Sequence, residues 1–353
     1  MNISKLLIGM LMVSFMIARP AKASIKSKEI KKSFPVENAT SLKIANQYGK
    51  LQVKSWDKNT IEFAIKISVE SNKADKAQTM LDNISVEFTQ GQNYVNAETK
   101  FGDFFGFHKL TNSLFSKGKM KIDYLVRIPA SLPLEIVQKN GKIFMDSHSA
   151  PLTLELNNGE FTAQNLKGEG KMKFRGSTIQ IEELNTSEMD LGNCELRITD
   201  AEKITAESRD SKINIKSIGT FNLHSNRDKV ELDQVEYLYG SSGISKFEIN
   251  DLGSELDYDL KLGHMNIFNV HNMFSFIKLD SKFSDLGLSF MQNSNFNVEI
   301  KHKSVKLDYP ANFKLKQKDT SEKNTYITSG LVGKDKSPSD VKIRANNCKI
   351  NLN

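Results

Sequence analysis

The feature that most constrains this chain is a short pattern that keeps returning. "KNGKIFMDSH" (139–148), "NNGEFTAQNL" (157–166), "RDSKINIKSI" (209–218), "NRDKVELDQV" (226–235), "SGISKFEIND" (242–251) and "LGHMNIFNVH" (262–271) each place a turn-forming or small residue ahead of alternating polar and apolar residues. Taking the apolar residue after each turn as an origin gives Leu51, Ile143, Phe161, Ile179, Leu196, Ile213, Val230, Phe247, Met265, Leu286, Val305 and Ile350. From Ile143 to Met265 the sequence numbers advance in steps of 18, 18, 17, 17, 17, 17 and 18. The residue two after each origin is apolar in every case, from Val53 and Met145 to Leu307 and Leu352. Further columns lie seven before the origin (Ile44, Ile136, Leu154, Met172, Met189 and onward, broken by Gly240) and five after it (Trp56, Leu166, Leu184, Ala201, Ile218, Val235, Leu252, Val270).

Alternation of this kind is a strand with one face buried. A unit of this length, holding two such strands and a corner, cannot close a core by itself, but stacked units can. The spacings of 2, 5 and 7 do not hold to the 3.6-residue period of a helix. They also lack the apolar residue every six positions that a left-handed hexapeptide solenoid would show. The pattern predicts an all-β fold, a parallel β-solenoid (β-helix-like) of about twelve coils. Spacing leaves its hand open, and the crossover rule favours the right-handed form.

Two residues before the origins stand Gly49, Gly141, Gly159, Ser177, Cys194, Ser211, Asp228, Ser245, Gly263, Ser284, Lys303 and Cys348. Most are small, which suits a corner where the chain turns once per coil: glycine supplies left-handed φ, and serine and aspartate bond to nearby backbone. The two cysteines share this column about seven strand spacings of ~4.8 Å apart. A disulfide needs Cα atoms within about 7 Å, so both thiols are expected to be free.

The period breaks twice. Residues 61–69, 84–88, 94–99 and 120–128 read as longer strands, and Ala74, Ala77, Met80 and Leu81 predict one short helix among them. This N-terminal insertion, 61–130, is suited to capping an end whose unpaired strand groups would otherwise be open. Regular coils are expected over 134–310, an irregular polar loop over 316–340, and a final coil over 341–353.

The segment 1–23 reads as a signal peptide: Lys5, an apolar run from Leu6 to Ala18, then Ala21-Lys22-Ala23 before the cut. The run is short of the roughly twenty residues a spanning helix needs. No later segment approaches that length, so no transmembrane segment is expected in the mature chain, a single solenoid domain over 24–353. The whole chain carries +7, but Lys5, Arg19 and Lys22 leave with the signal and no acid leaves with them, so the segment 24–353 carries +4 (+7 less 3). Lysines and acids are interleaved rather than clustered with aromatic platforms, which argues against a nucleic-acid partner.

"SLKIANQYGKLQVKSWDKNTIEFAIKISV", followed by "YLVRIPASLPLEIVQKNGKI", resembles the bacterial putative-adhesin family of exported β-solenoids, a domain of unknown function found in Bacteroidetes-like envelopes. The resemblance spans roughly residues 34–353, and its most specific parts are Asn46-Gln47-Tyr48-Gly49, Trp56-Asp57 and Val126-Arg127-Ile128-Pro129. It implies a single-stack solenoid at the cell envelope and carries no catalytic residues to transfer. "FGDFFGFHKLTNSLF" departs from it in being more aromatic.

Chemistry-bearing motifs are sparse. The six histidines form neither His-x-His nor His-Glu-x-x-His, and the cysteines are too far apart to share a site, so no metal or cofactor is expected. Asp257 and Asp259 would share a strand face at a separation a glycosidase could use, though many strands of this composition offer such a pair. The candidate partner-binding residues are Phe101, Phe104, Phe105, Phe107 and Phe115, with Leu114, in a glycine-containing connection. The competing reading makes the same rings a plug over the N-terminal end, and that reading is preferred. The expected function is a non-catalytic adhesin-like binding or scaffolding protein, exported to the periplasm or cell surface of a Gram-negative bacterium, with an envelope protein or glycan as partner. A β-helix carbohydrate-active enzyme and an envelope-stress signalling component are the alternatives.

Overall fold

The computed structural model describes residues 23–36, 40–105, 114, 119–334 and 338–353. The expected signal peptide, except Ala23, lies outside the described residues. No described helix is long and apolar enough to cross a membrane.

The chain forms a parallel β-solenoid, and its founding coil is β2 (Ser41–Trp56). Strand β7 (Leu134–His148) pairs in parallel along both halves of β2, Ile44 opposite Ile136 and Leu51 opposite Ile143. Between them lies the insertion: β3 (Thr60–Ser71), α1 (Ala74–Asp82), β4 (Ile84–Gln90), β5 (Tyr94–Phe101) and β6 (Met120–Pro129), matching the expected strands and helix. On the side of β2 away from β7, β5 pairs with its first half and β6 with its second, both in parallel. Antiparallel β4 then covers β5 and antiparallel β3 covers β6. The helix buries Ala77, Met80 and Leu81. One further strand, β1 (Ser24–Pro35), pairs antiparallel with β3 and was not anticipated.

After β7 come β8 (Leu152–Asn157), β9 (Glu160–Leu166) and β10 (Gly170–Arg175), and then five long bent strands: β11 (Thr178–Gly192), β12 (Glu195–Arg209), β13 (Lys212–Asn226), β14 (Lys229–Gly243) and β15 (Lys246–Lys261). Each long strand serves two ladders. The front of β11 pairs with β9, and its back, from Ser187, with β10. The two ladders continue through β16 (His264–Val270), β17 (Phe276–Lys282) and β18 (Asp285–Phe290). The apolar columns found in the sequence point inward as expected, with Ile179, Ile181, Leu184 and Met189 all buried in one coil. Two inward columns went unread because they mix apolar with small polar residues. One runs Leu152, Gly170, Ser187, Ile204, Phe221 and Leu238; the other Phe174, Leu191, Ser208, Ser225 and Ser242.

Gly240 shows why one apolar column skips a residue. Leu223, Gly240 and Tyr258 stack in successive coils. The Tyr258 ring is wholly buried, and its hydroxyl lies 2.9 Å from the Leu223 carbonyl oxygen and 3.1 Å from that of Ser241. A Cβ on Gly240 would sit 2.1 Å from the Leu223 oxygen, so a glycine is needed where the tyrosine reaches across.

The corners are hydrogen-bonded ladders of their own. The Ser211 hydroxyl accepts from the Cys194 N–H (3.1 Å) and donates to the Arg209 carbonyl (2.9 Å). Ser177 and Ser284 repeat the arrangement on Gly159 and Gly263. At the equivalent place Asp228 Oδ1 accepts the Ser211 N–H at 2.7 Å, while Oδ2 accepts from Ser225 and from the Asn226 N–H. Burial pushes this carboxyl above the usual range.

The C-terminal end departs from chain order. Strands β19 (Phe296–Lys303) and β20 (Lys306–Asp308) do not follow β17 and β18 in space. The chain instead forms β21 (Lys314–Asp319) and β22 (Thr325–Val332), and returns as β23 (Asp340–Asn346) and β24 (Lys349–Leu352). Strand β23 pairs in parallel with β17 on one side and β19 on the other, and β24 lies between β18 and β20. About nine turns therefore follow one another along the chain from β7 to β18. The remaining rungs of the expected twelve are built by β2 and by the two terminal coils taken out of order.

Three corrections follow. Ile350 faces Leu307, so Leu307 and not Val305 is the origin of its coil, and Val305 rather than Lys303 takes the corner place. Part of the expected loop over 316–340 is the β21–β22 antiparallel pair, with β22 also antiparallel to β19. That pair covers an edge that would otherwise be open, and exposed Lys314, Lys316 and Lys318 guard the new one. Last, Cys194 and Cys348 are six rungs apart rather than seven, because the last coil intercalates; both are free, as expected.

Candidate functional site

Two places are candidates for a site: the aromatic connection at the N-terminal end and the outer face of the ladder that contains β8 and β10. The connection starts where β5 ends. Gly102 N–H donates to the Asn83 carbonyl (2.8 Å) and Phe105 N–H to the Gly102 carbonyl (3.0 Å), winding Asp103–Phe105 into a single 3-10 turn. Phe105 is buried, and Phe101 and Phe104 are half-buried against the core. Their rings meet edge to face: Phe101 to Phe105 at 5.5 Å, Phe104 to Phe105 at 5.2 Å, and Phe101 to Tyr48 at 5.8 Å between centroids. Leu114 is also half-buried against the core, whereas Phe107 and Phe115 lie outside the described residues. Tyr48 belongs to the founding coil, so the described part of the cluster is continuous with the first rung. Beneath it, Tyr124 and Asn46 both bond the Thr99 hydroxyl at 2.8 Å, and burial raises the Tyr124 phenol well above its ordinary range.

On the outer face, two shallow depressions adjoin. One, of about 760 Å³, includes Arg175, Arg209, Asn226, Ser241 and Asp259; the other, of about 460 Å³, includes Glu135, Thr153, Glu155, Lys171 and Lys173. Asp190, Glu207 and His224 line both, so they form one groove running across the strands from β7 to β15. Its floor repeats every coil because outward residues in register stack: Asp190, Glu207, His224, Ser241 and Asp259 are neighbours on successive strands. Arg175 is ion-paired with Asp190, and His224 Nδ1 lies 2.9 Å from the Ser241 hydroxyl. Beside the groove, Tyr239 bonds Glu255. These residues offer acidic, basic and neutral polar groups side by side, which suits a long polar ligand better than a single-sign polyion.

The other candidates are dispersed. Asp257 is bound by Lys278 Nζ at 2.9 Å while Asp259 faces solvent, so the two carboxylates stand in different surroundings. His264 stacks on Lys246 in an outward column. His148 and His302 are buried, and burial lowers the pKa of both. His302 Nε2 lies 3.0 Å from the Thr328 hydroxyl. Among the described residues no three His, Cys, Asp or Glu side chains are grouped to hold a metal. Sequence reading missed the groove because its residues differ in no way from other outward polar positions; only the stacking makes them one surface.

No protein-family model matches the chain, and no curated protein matches it. Among solved structures it is similar to a putative cell adhesion protein from Clostridium sporogenes, at 14% identity over 93% of this chain and 99% of the other, with a TM-score of 0.20. It is also similar to a putative adhesin from Bacteroides fragilis, at 12% identity over 92% and 97%, with a TM-score of 0.27. Both names agree with the resemblance drawn from the sequence. The fold is established by the strand register.

Proposed function

We propose that this protein is a non-catalytic, exported envelope solenoid that binds an extended polar partner, an envelope glycan or protein segment, along the outer groove. The observation that carries the reading is the groove's continuity: Asp190, Glu207 and His224 join two depressions into one surface crossing successive rungs. A stack with a repeat of ~4.8 Å presents donors and acceptors at fixed intervals, which suits a ligand that is itself a repeating chain. Export is supported by the N-terminal segment, and the first strand begins at Ser24, next to the expected cut. The aromatic connection is read as the closure of the N-terminal end, since Phe105 is buried and Phe101 and Phe104 pack on the core.

The test is an array of envelope polysaccharides probed with the wild type and with Glu207→Ala/His224→Ala. Retention of one polysaccharide class by the wild type, weakened in the variant at unchanged melting temperature, is the expected result. Release of shortened products from any retained polysaccharide would replace the reading with the β-helix enzyme. No retention by the wild type, or equal retention by both, would move the binding site off the groove.

A further inference from the structure

Every corner of the solenoid contains one residue in the left-handed region. The column runs Tyr48, Asn140, Asn158, Gly176, Asn193, Asp210, Arg227, Ile244, Leu262, Phe283, Asn347 and Ser304, in spatial order, with φ between 50° and 62°. Seven of the twelve are Asn, Gly, Asp or Ser, the residues that tolerate or stabilise this conformation at corners. Five depart from it: Tyr48, whose ring is buried, Arg227, which is ion-paired with Asp210, and the apolar residues of the three coils that follow Arg227. Ile244, Leu262 and Phe283 hold φ of 61°, 56° and 54°, and a β-branched residue such as Ile244 is an outlier in that region.

Their side chains stay more than half exposed. Ile244, Leu262 and Phe283 are 53%, 58% and 59% exposed. They are stacked neighbours: Ile244 N–H donates to the Lys261 carbonyl, Leu262 N–H to the Lys282 carbonyl, and Phe283 N–H to that of Asn346 in the intercalated coil. An apolar ridge two rung spacings long, ~10 Å, therefore stands on one edge of the solenoid, where strain and exposure both count against it. Conformational strain retained without a packing gain points to a use.

Lysines flank the ridge. Lys261 and Lys282 immediately precede Leu262 and Phe283, Lys246 follows Ile244 by two residues, and all three are exposed. Among the described residues none of the three is ion-paired. Asp285, the acid beside Phe283, has one carboxylate oxygen engaged by the Lys349 backbone N–H. Apolar tips bordered by free ammonium groups match the boundary between acyl chains and anionic headgroups, where apolar side chains insert shallowly and lysines meet phosphates.

We infer that the corner ridge of Ile244, Leu262 and Phe283, with Lys246, Lys261 and Lys282, docks the solenoid edge-on to an anionic lipid bilayer. The apolar ridge stands beyond the end of the outer groove, where Lys261 borders both, and a polysaccharide array without binding leaves the vesicle test unaffected.

The structure supplies a variant that should not disturb the fold: asparagine already occupies this corner at 140, 158, 193 and 347. Ile244→Asn/Leu262→Asn/Phe283→Asn should melt no lower than the wild type. Co-sedimentation with phosphatidylglycerol-containing vesicles should fall roughly tenfold or more in that variant. Each of Lys246→Gln, Lys261→Gln and Lys282→Gln should lower it by roughly fivefold, and added salt should act in the same direction. Any contribution from the N-terminal segment is common to all forms and cancels in the comparison. Phe283→Trp should give a blue-shifted indole emission with these vesicles and not with pure phosphatidylcholine. Absence of wild-type binding, equal binding by the asparagine variant, or an unshifted indole would overturn the inference. So would a wild-type dimer that the asparagine variant splits without any vesicle binding, which would assign the ridge to a second copy of the chain.

Discussion

In the coils from β7 to β18 each strand's spatial neighbour is the strand one period away in sequence, whereas in the last two rungs it is not. There β23 enters between β17 and β19 after the chain has already built the outer coil. Both regions use the same inward columns and the same left-handed corner, with Asn347 and Ser304 at φ of 53° and 54° continuing the series. A local sequence pattern thus specifies the shape of a coil, including its corner and buried faces. Which coil lies above which is set by the connections. Where connections are short the two coincide; where the β21–β22 pair intervenes, a coil can be laid down late into a gap left for it.

The largest effect that would break this comparison is a charge placed in the core of each region. Ile249→Asp, in the regular stack, and Ile343→Asp, in the intercalated coil, each replace a fully buried side chain and should cost several kcal/mol, roughly 3–5. Lys212→Ala, on an exposed position of the same stack, should stay within about 0.5 kcal/mol. Chemical denaturation of the three variants decides the matter. If Ile343→Asp were as mild as Lys212→Ala, the final coil would not be part of the core.

The N-terminal closure comes next. If the described rings seal the first rung, Phe104→Ser/Phe105→Ser should destabilise by on the order of 3 kcal/mol for the buried Phe105 ring and less for half-buried Phe104. Limited proteolysis should then cut near β2 and β5. A double variant that melts like the wild type and loses envelope attachment would instead make the connection a binding site.

The two regions also explain what could be read in advance. The columns led by Ile143, Met145 and Ile136 were legible because identical burial recurs at a fixed interval. The column of Ser208, Ser225 and Ser242 was not, because small polar side chains there look like outward residues. The left-handed column was visible only as scattered Asn and Asp before small residues, and Ile244, Leu262 and Phe283 disguised it. Strand β1 escaped notice because it pairs with one strand, β3, and only its Ile30 and Phe34 pack on the core, too few to set a period. Of the candidate site, the aromatic connection stood out by composition. The groove did not, since outward residues form a surface only after the rungs are stacked.

A smaller effect separates the ends by pH. His302 is held between β19 and the capping strand β22 by its contact with Thr328, and burial depresses its pKa. A histidine whose folded pKa is depressed contributes stability that is fully present above its ordinary value near 6.5 and is lost as pH falls through that value toward the folded one. His148, buried in the regular stack, shifts in the same direction. Melting temperature should therefore fall by a few degrees between pH 7.5 and pH 5. Amide exchange should show β19 and β22 opening earlier at the lower pH, and His302→Gln should remove that local part. A C-terminal end that protects its amides equally at both pH values would show that His302 is not strained by protonation there.

The smallest prediction bears most directly on the register. Read by period alone, Val305 is a core origin and Lys303 its corner; read from the pairing of Lys306 with Lys349 and Leu307 with Ile350, Val305 is the corner and Leu307 the origin. Corners elsewhere in the stack hold serine, so Val305→Ser should be within about 0.5 kcal/mol of the wild type. Leu307 is half-buried on the terminal rung, and Leu307→Ser should cost about 1 kcal/mol, less than an interior rung because only part of its apolar surface is covered. The order of the two values is the informative quantity. If Val305→Ser proved the more damaging, the last rung would sit two residues from its assigned place, with the same strand face inward and Val305 opposite Ile350.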